Sequence, residues 1–150
     1  MPKPTQQDAN LVVQLYQAGS TPEMDEAFNY LLSDQFIANH TEFLKKHPRG
    51  SREYSQVRRV LGFYETVGTL HKHGLINEDL LFDWLAVRHQ WDRLKDIALG
   101  ERAGAKNPAL WENFEALARA DDVWSTSHAQ AAQAATERRP QAPASGGSRH

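Results

Sequence analysis

Val57–Leu94, VRRVLGFYETVGTLHKHGLINEDLLFDWLAVRHQWDRL, is the stretch whose reading decides the fold. Val57, Val60, Leu61, Tyr64, Val67 and Gly68 recur at the three-and-four spacing of one α-helical face. Phe63 and Leu70 widen that stripe, and Arg59, Thr66 and His73 fall opposite it. Gly74 stands where a left-handed cap residue belongs, a conformation that glycine takes without steric cost. Asn77 is placed to cap the next helix, with Glu78 and Asp79 adding negative charge at its positive end. Ile76 and Leu81 flank that cap as a hydrophobic staple. The stretch therefore predicts a helical hairpin with a well-marked turn. Its second helix is apolar nearly all round from Leu80 to Val87, with only Asp83 polar, as in a helix covered on several sides. From Arg88 onward it turns amphipathic, and Trp91, Leu94 and Ala98 carry the buried stripe.

Outward from the hairpin the chain stays helical. Residues 1–7 are expected to be a flexible N-terminus, followed by a short amphipathic helix through Leu11, Val12 and Leu15. Thr21-Pro22-Glu23 is a strong helix start, cap then proline then acid. Met24, Ala27, Phe28, Leu31 and Leu32 form that helix's inner face. The phase shifts near Ser33-Asp34, which either a kink or two shorter helices would explain. Pro48 to Gly50 ends the segment, and Ser51 caps the hairpin. Asn107-Pro108 repeats the cap-then-proline signal ahead of Leu110, Trp111, Phe114, Leu117 and Ala118. Past Trp124 the residues turn to Ala, Gln, Ser and Pro. AQAAQAATE has helical propensity but no apolar stripe to dock, and RRPQAPASGGSRH has the composition of a disordered segment. The expectation is an all-α, single-domain bundle of five or six helices over residues 8–124, with a flexible tail over 125–150.

Composition narrows the class further. A chain of 150 residues can bury a real core, and a formal net charge of −2 gives no global argument for nucleic acid. The absence of cysteine excludes disulfides and thiolate chemistry and fits a cytoplasmic protein. No apolar run approaches the roughly 20 residues of a membrane span, and the polar N-terminus does not resemble a signal peptide.

Candidate chemistry is sparse. Trp84, Arg88, Trp91 and Lys95 form an aromatic–cation row that is either a groove for an anionic or planar ligand or a core seam with snorkelling cations. Asp92, four residues after Arg88, is positioned to pair with it. Glu65 borders the apolar stripe. Buried alone it would be a general acid or base, and the simpler expectation is an arginine partner across a helix interface. The seven histidines show no HExxH or Glu-x-x-His spacing, so neither a metal nor a cofactor is expected. No phosphate-binding glycine loop or nucleophile elbow occurs, and Gly62 and Gly68 are read as sites of close helix packing. Lys45, Lys46, Arg49, Arg52, Arg58 and Arg59 face only Glu53 in the sequence, a local basic patch for phosphates or an acidic partner. The Gly74 turn is not a DNA-reading helix-turn-helix, because its second helix is too apolar for a groove.

The run VLGFYETVGTL…GLINEDLLFDW, a later tryptophan, an arginine and then NPALWENFEALA resembles an uncharacterised family of small bacterial helical proteins, a domain of unknown function. The resemblance covers roughly Gln14 to Ala118 and is strongest from Arg58 to Trp91. It implies a pairing of a mid-helix glutamate with a later tryptophan and arginine, here Glu65, Trp91 and Arg102. Many such proteins carry an N-terminal membrane helix, and this sequence shows none. No activity comes with the resemblance.

Three functional readings follow. The first is a non-enzymatic helical module that binds a protein partner, a second copy of itself included, through the apolar surplus of Leu80–Val87. The second is nucleic-acid or polyanion binding through the patch at 45–59. The third is a small-molecule or enzymatic pocket joining Glu65, Arg88 and Trp91.

Overall fold

A computed structural model of the protein describes residues 2–139, which form seven helices and, among the described residues, no strand. These are α1 (Gln6–Ala18), α2 (Pro22–Leu32), α3 (His40–Lys46), α4 (Arg52–Lys72), α5 (Glu78–Trp84), α6 (Arg88–Gly104) and α7 (Glu112–Glu137). None is long and apolar enough to cross a membrane. The all-helical expectation is met, and the count is seven rather than five or six. The phase shift at Ser33-Asp34 marks two separate helices, α2 and α3, and the hairpin's second helix is itself split into α5 and α6.

α4 is the axis of the bundle. All six stripe residues, Val57, Val60, Leu61, Tyr64, Val67 and Gly68, are buried. The predicted local caps form: Thr21 accepts from the Met24 amide, Ser51 from Tyr54 and Asn77 from Leu80, each at 3.0–3.2 Å. Gly74 takes φ +66°, and the Leu75 amide reaches back to the Leu70 carbonyl at 3.0 Å, which closes α4. The turn is as expected, but the hairpin is not. α5 packs mainly on α1 and α7 and α4 mainly on α2 and α7, so the second half of the hairpin touches α4 only lightly, through α6 and contacts such as His71 with Glu78 and Phe82.

The break between α5 and α6 has no local signal, since Leu85-Ala86-Val87 contains neither glycine nor proline. Its cause is tertiary. The buried carboxylate of Asp121, on α7, accepts the Val87 and Arg88 amides at 2.9 Å each and so caps α6 from another helix. The same contact leaves Val87 fully buried.

α7 also starts differently from the expectation. Asn107-Pro108 begins a turn, not a helix; Asn107 accepts from the Ala109 amide, and Trp111 then takes φ +61° before the helix opens at Glu112. At its far end α7 runs to Glu137, so the Ala- and Gln-rich segment with helical propensity extends the helix, with every side chain from Thr126 to Glu137 exposed. Residues 140–150 lie outside the described residues. At the N-terminus α1 begins at Gln6, and Asn77 Nδ2 donates to the Pro2 carbonyl at 2.9 Å.

Candidate functional site

Glu65 meets no arginine among the described residues. Its carboxylate accepts the Phe114 amide at 2.8 Å, the Asn113 amide at 3.4 Å and Asn113 Nδ2 at 3.0 Å. Asn113 and Phe114 are the second and third residues of α7, whose first amides have no partner within their own helix. Trp111, at the cap position, offers no side-chain oxygen, and Glu65 does that work across the bundle. The close approach depends on Gly68, where a Cβ would lie 2.3 Å from the Asn113 carbonyl oxygen. Gly62, by contrast, faces open space, so it is not a packing glycine.

Arg102 and Trp91 converge on the same helix start. Arg102 donates from Nε to the Leu110 carbonyl and from Nη1 to Glu115 Oε2, both at 2.8 Å. Trp91 sets its edge against the Phe114 ring at 5.1 Å, and Tyr64 stacks on that ring at 4.7 Å. Burial, then the Asp121 charge, pushes the Tyr64 hydroxyl well above its usual range, so it stays neutral. The trio that the resemblance singled out thus surrounds the first turn of α7.

The other sequence candidates separate. Trp84 and Arg88 line a shallow pocket of about 200 Å³ with His89 and Asp121, while Trp91 lies elsewhere, against Phe114. The break at Leu85–Val87 takes Trp84 out of register with Arg88 and Trp91, so the row on one helix face does not exist. Arg88 pairs with Asp122 at 2.6 Å, not with Asp92, which sits 3.7 Å from Lys95. The pocket that Arg88 lines includes neither Glu65 nor Trp91. Of the basic patch, Lys45 pairs with Glu42, Arg49 with Glu101 and Arg52 with Glu26. Arg58 lies over the Trp111 ring, 5.7 Å from its centroid. Three of the six cations are therefore paired, Arg49 and Arg52 by carboxylates from other helices and Lys45 within α3, while Lys46, Arg58 and Arg59 make no ion pair among the described residues. Among the described residues, no group of three or more His, Asp or Glu side chains is arranged to hold a metal.

Sequence reasoning missed the buried carboxylate of Glu101, which is 8% exposed. It accepts from Tyr54 at 3.0 Å and from Arg49 Nη2 at 3.1 and 3.3 Å, and sits 3.0 Å from His40 Nε2. Burial raises its proton affinity, but the hydrogen bonds from His40 and Tyr54 and the Arg49 charge outweigh that and hold the carboxyl below its usual range. His40 reaches it because Gly100 leaves room: a Cβ there would fall 2.2 Å from the imidazole. Glu101, Arg49 and Tyr54 form one wall of a pocket of about 340 Å³, completed by Arg58, Gly104, Ala105, Leu110 and Trp111.

A sequence family described as "Domain of unknown function (DUF4760)" matches residues 4–120, a span that includes Glu65, Trp91, Arg102 and the Glu101 cluster. The chain belongs to this family. No curated protein and no solved structure matches it. The family's description assigns no activity, so the resemblance read from the sequence is established at the level of family and carries no reaction with it. The match ends at residue 120, close to Asp121 and before the exposed half of α7.

Proposed function

We propose that this protein is a non-enzymatic helical interaction module that holds a protein partner on the edge formed by α1 and α5. The observation that carries this reading is the pair Tyr16 and Trp84. Tyr16 is 58% exposed, and its ring stands edge-on to the partly buried Trp84 at 6.3 Å. Val13, 55% exposed and one turn away, lies on the same side of α1. α1 sets Leu15, Leu11 and Val12 against the core and leaves Val13 and Tyr16 outside it. Exposed aromatics backed by a helix pair are the composition of interface hot spots.

This moves the binding surface expected from the sequence. Leu81, Phe82 and Val87 are buried and Leu80, Trp84 and Leu85 partly so, which makes most of the apolar surplus of Leu80–Val87 core, with Trp84 meeting Tyr16 at its edge. The polyanion reading loses support because Lys45, Arg49 and Arg52 each face a glutamate.

The test is affinity purification of the tagged chain from its own cells beside a Val13→Ser/Tyr16→Ser variant, with sedimentation velocity on both. A stoichiometric protein, or a dimer, that is present with the parent and lost with the variant supports the reading. A parent that sediments as a monomer and recovers nothing, or a partner retained equally by the variant, overturns it. Nuclease-sensitive absorbance in the eluate would favour the polyanion alternative instead.

A further inference from the structure

The pocket beside Glu101 is built differently from the α1–α5 edge. Its outer wall is the segment 105–111, which joins α6 to α7 and holds two residues in the left-handed region without being glycine, Lys106 at φ +52° and Trp111 at φ +61°. A bulky aromatic residue rarely takes that conformation, and such strain collects where a side chain must be held in one place. What it holds is the Trp111 ring, 8% exposed, against the pocket with Arg58 over it.

Two donors, one in this segment and one behind it, lack acceptors. Trp111 Nε1 and Arg102 Nη2 are buried with no hydrogen-bond partner among the described residues. Arg102 backs the segment through its bond to the Leu110 carbonyl. Buried donors of this kind are uncommon, and each calls for a reason. Arg58 faces no carboxylate among the described residues, whereas Arg49 is held by Glu101. The lining thus sets two guanidinium groups against one carboxylate, beside the apolar surface of Leu110, Ala105 and Trp111. Its volume of about 340 Å³ falls within the range of small-molecule sites, about 300–1,000 Å³.

We propose that this pocket binds a small monocarboxylate with a flat apolar body, its carboxylate on Arg58 and its body against Trp111 and Leu110. A carboxylate offers only acceptors, which is what Arg58 lacks, and pairs with the planar fork of arginine. A doubly charged phosphate fits less well, because the Glu101 carboxylate stands in the same lining and one guanidinium is already committed to it. The apolar half of the lining has no use for an ion without a body.

The experiment is a titration of the ¹⁵N-labelled full chain with sodium benzoate, following the assigned Trp111 indole N–H at constant ionic strength. Sodium phosphate is titrated in parallel, and the variants are Arg58→Met and, as a control next along the helix, Arg59→Met. The expected result is a saturable benzoate shift with a Kd of about 1 mM or below, weakened roughly tenfold or more by R58M and unchanged by R59M. Absence of a saturable benzoate shift, a stronger response to phosphate, or equal weakening by both variants would overturn the proposal. Should R58M lose its dispersed amide spectrum, the benzoate–phosphate comparison on the parent chain decides. Failure here leaves the α1–α5 reading untouched, because the two surfaces share no residue.

Discussion

The carboxylate of Glu65 accepts the backbone N–H of Phe114 at 2.8 Å, across a separation of 49 residues. A helix usually takes its N-terminal acceptor from the residue just before it. α7 takes its acceptor from the middle of α4, so the formation of the helix start and its docking on the bundle are one event. Asp121 on α7 repeats the device for α6, 34 and 33 residues away from the amides it caps. α4 thus caps α7, and α7 in turn caps α6.

Replacing Glu65 by Ala should cost about 2–3 kcal/mol, because it leaves two amides and the Asn113 side chain without their acceptor in a partly buried site. Gln keeps one acceptor oxygen and should cost less. Urea denaturation gives the totals. Hydrogen exchange should show the loss concentrated at Asn113 and Phe114; uniform loss of protection would contradict the capping role.

Gly62 and Gly68 stand less than two turns apart on α4 and should respond in opposite directions. Gly68→Ala drives a methyl into the Asn113 carbonyl and should destabilise by about 1–3 kcal/mol. Gly62→Ala meets open space and should stabilise by about 0.5–1 kcal/mol through helix propensity alone. Thermal melts of the two single variants check the sign of each.

Lys106 closes α6 in the left-handed region with an exposed side chain. Lys106→Gly removes the Cβ penalty of that conformation and should raise stability by about 1 kcal/mol. A fall in melting temperature would show that the segment does not hold this backbone in solution.

Glu101 should make stability depend on acid. Its folded-state pKa is lowered, so the stabilisation it gives is fully present above its ordinary value of 4.5 and is lost as pH falls through the depressed folded value. The groups facing it are His40 from α3, Arg49 from the α3–α4 connection and Tyr54 from α4. Glu101→Gln should therefore be clearly less stable than the parent at pH 7, and the gap should close below about pH 4.5. Urea melts from pH 7 to 3 on both proteins measure it; a constant gap would mean that the carboxylate's charge contributes nothing.

Every feature of the fold that was legible in the sequence is local. The stripe on α4 reflects a period of 3.6, the caps at Thr21, Ser51 and Asn77 each act three residues along, and Gly74 answers a steric demand at a single residue. Those interactions are complete within one turn of helix, so residue identity and spacing suffice to find them. The chemistry drawn from the sequence fared less well. The basic patch looked uncompensated because Glu26 and Glu101 are distant in sequence, and the aromatic–cation row assumed a helix that continues through Leu85–Val87.

Glu101 left no such trace. His40, Arg49 and Tyr54 lie 61, 52 and 47 residues from it, and a lone glutamate late in an amphipathic helix looks like a solvated one. By itself the sequence determined the helical class, the main core stripe, the starts of α2, α4 and α5 and the turn at Gly74, because each depends on neighbours within a few residues. Tertiary structure alone decided where α6 and α7 begin, which cations are neutralised and how the Trp111 pocket is walled. A carboxylate selects its partners by distance in space, and only packing brings Glu65, Glu101 and Asp121 to the amides and side chains they hold.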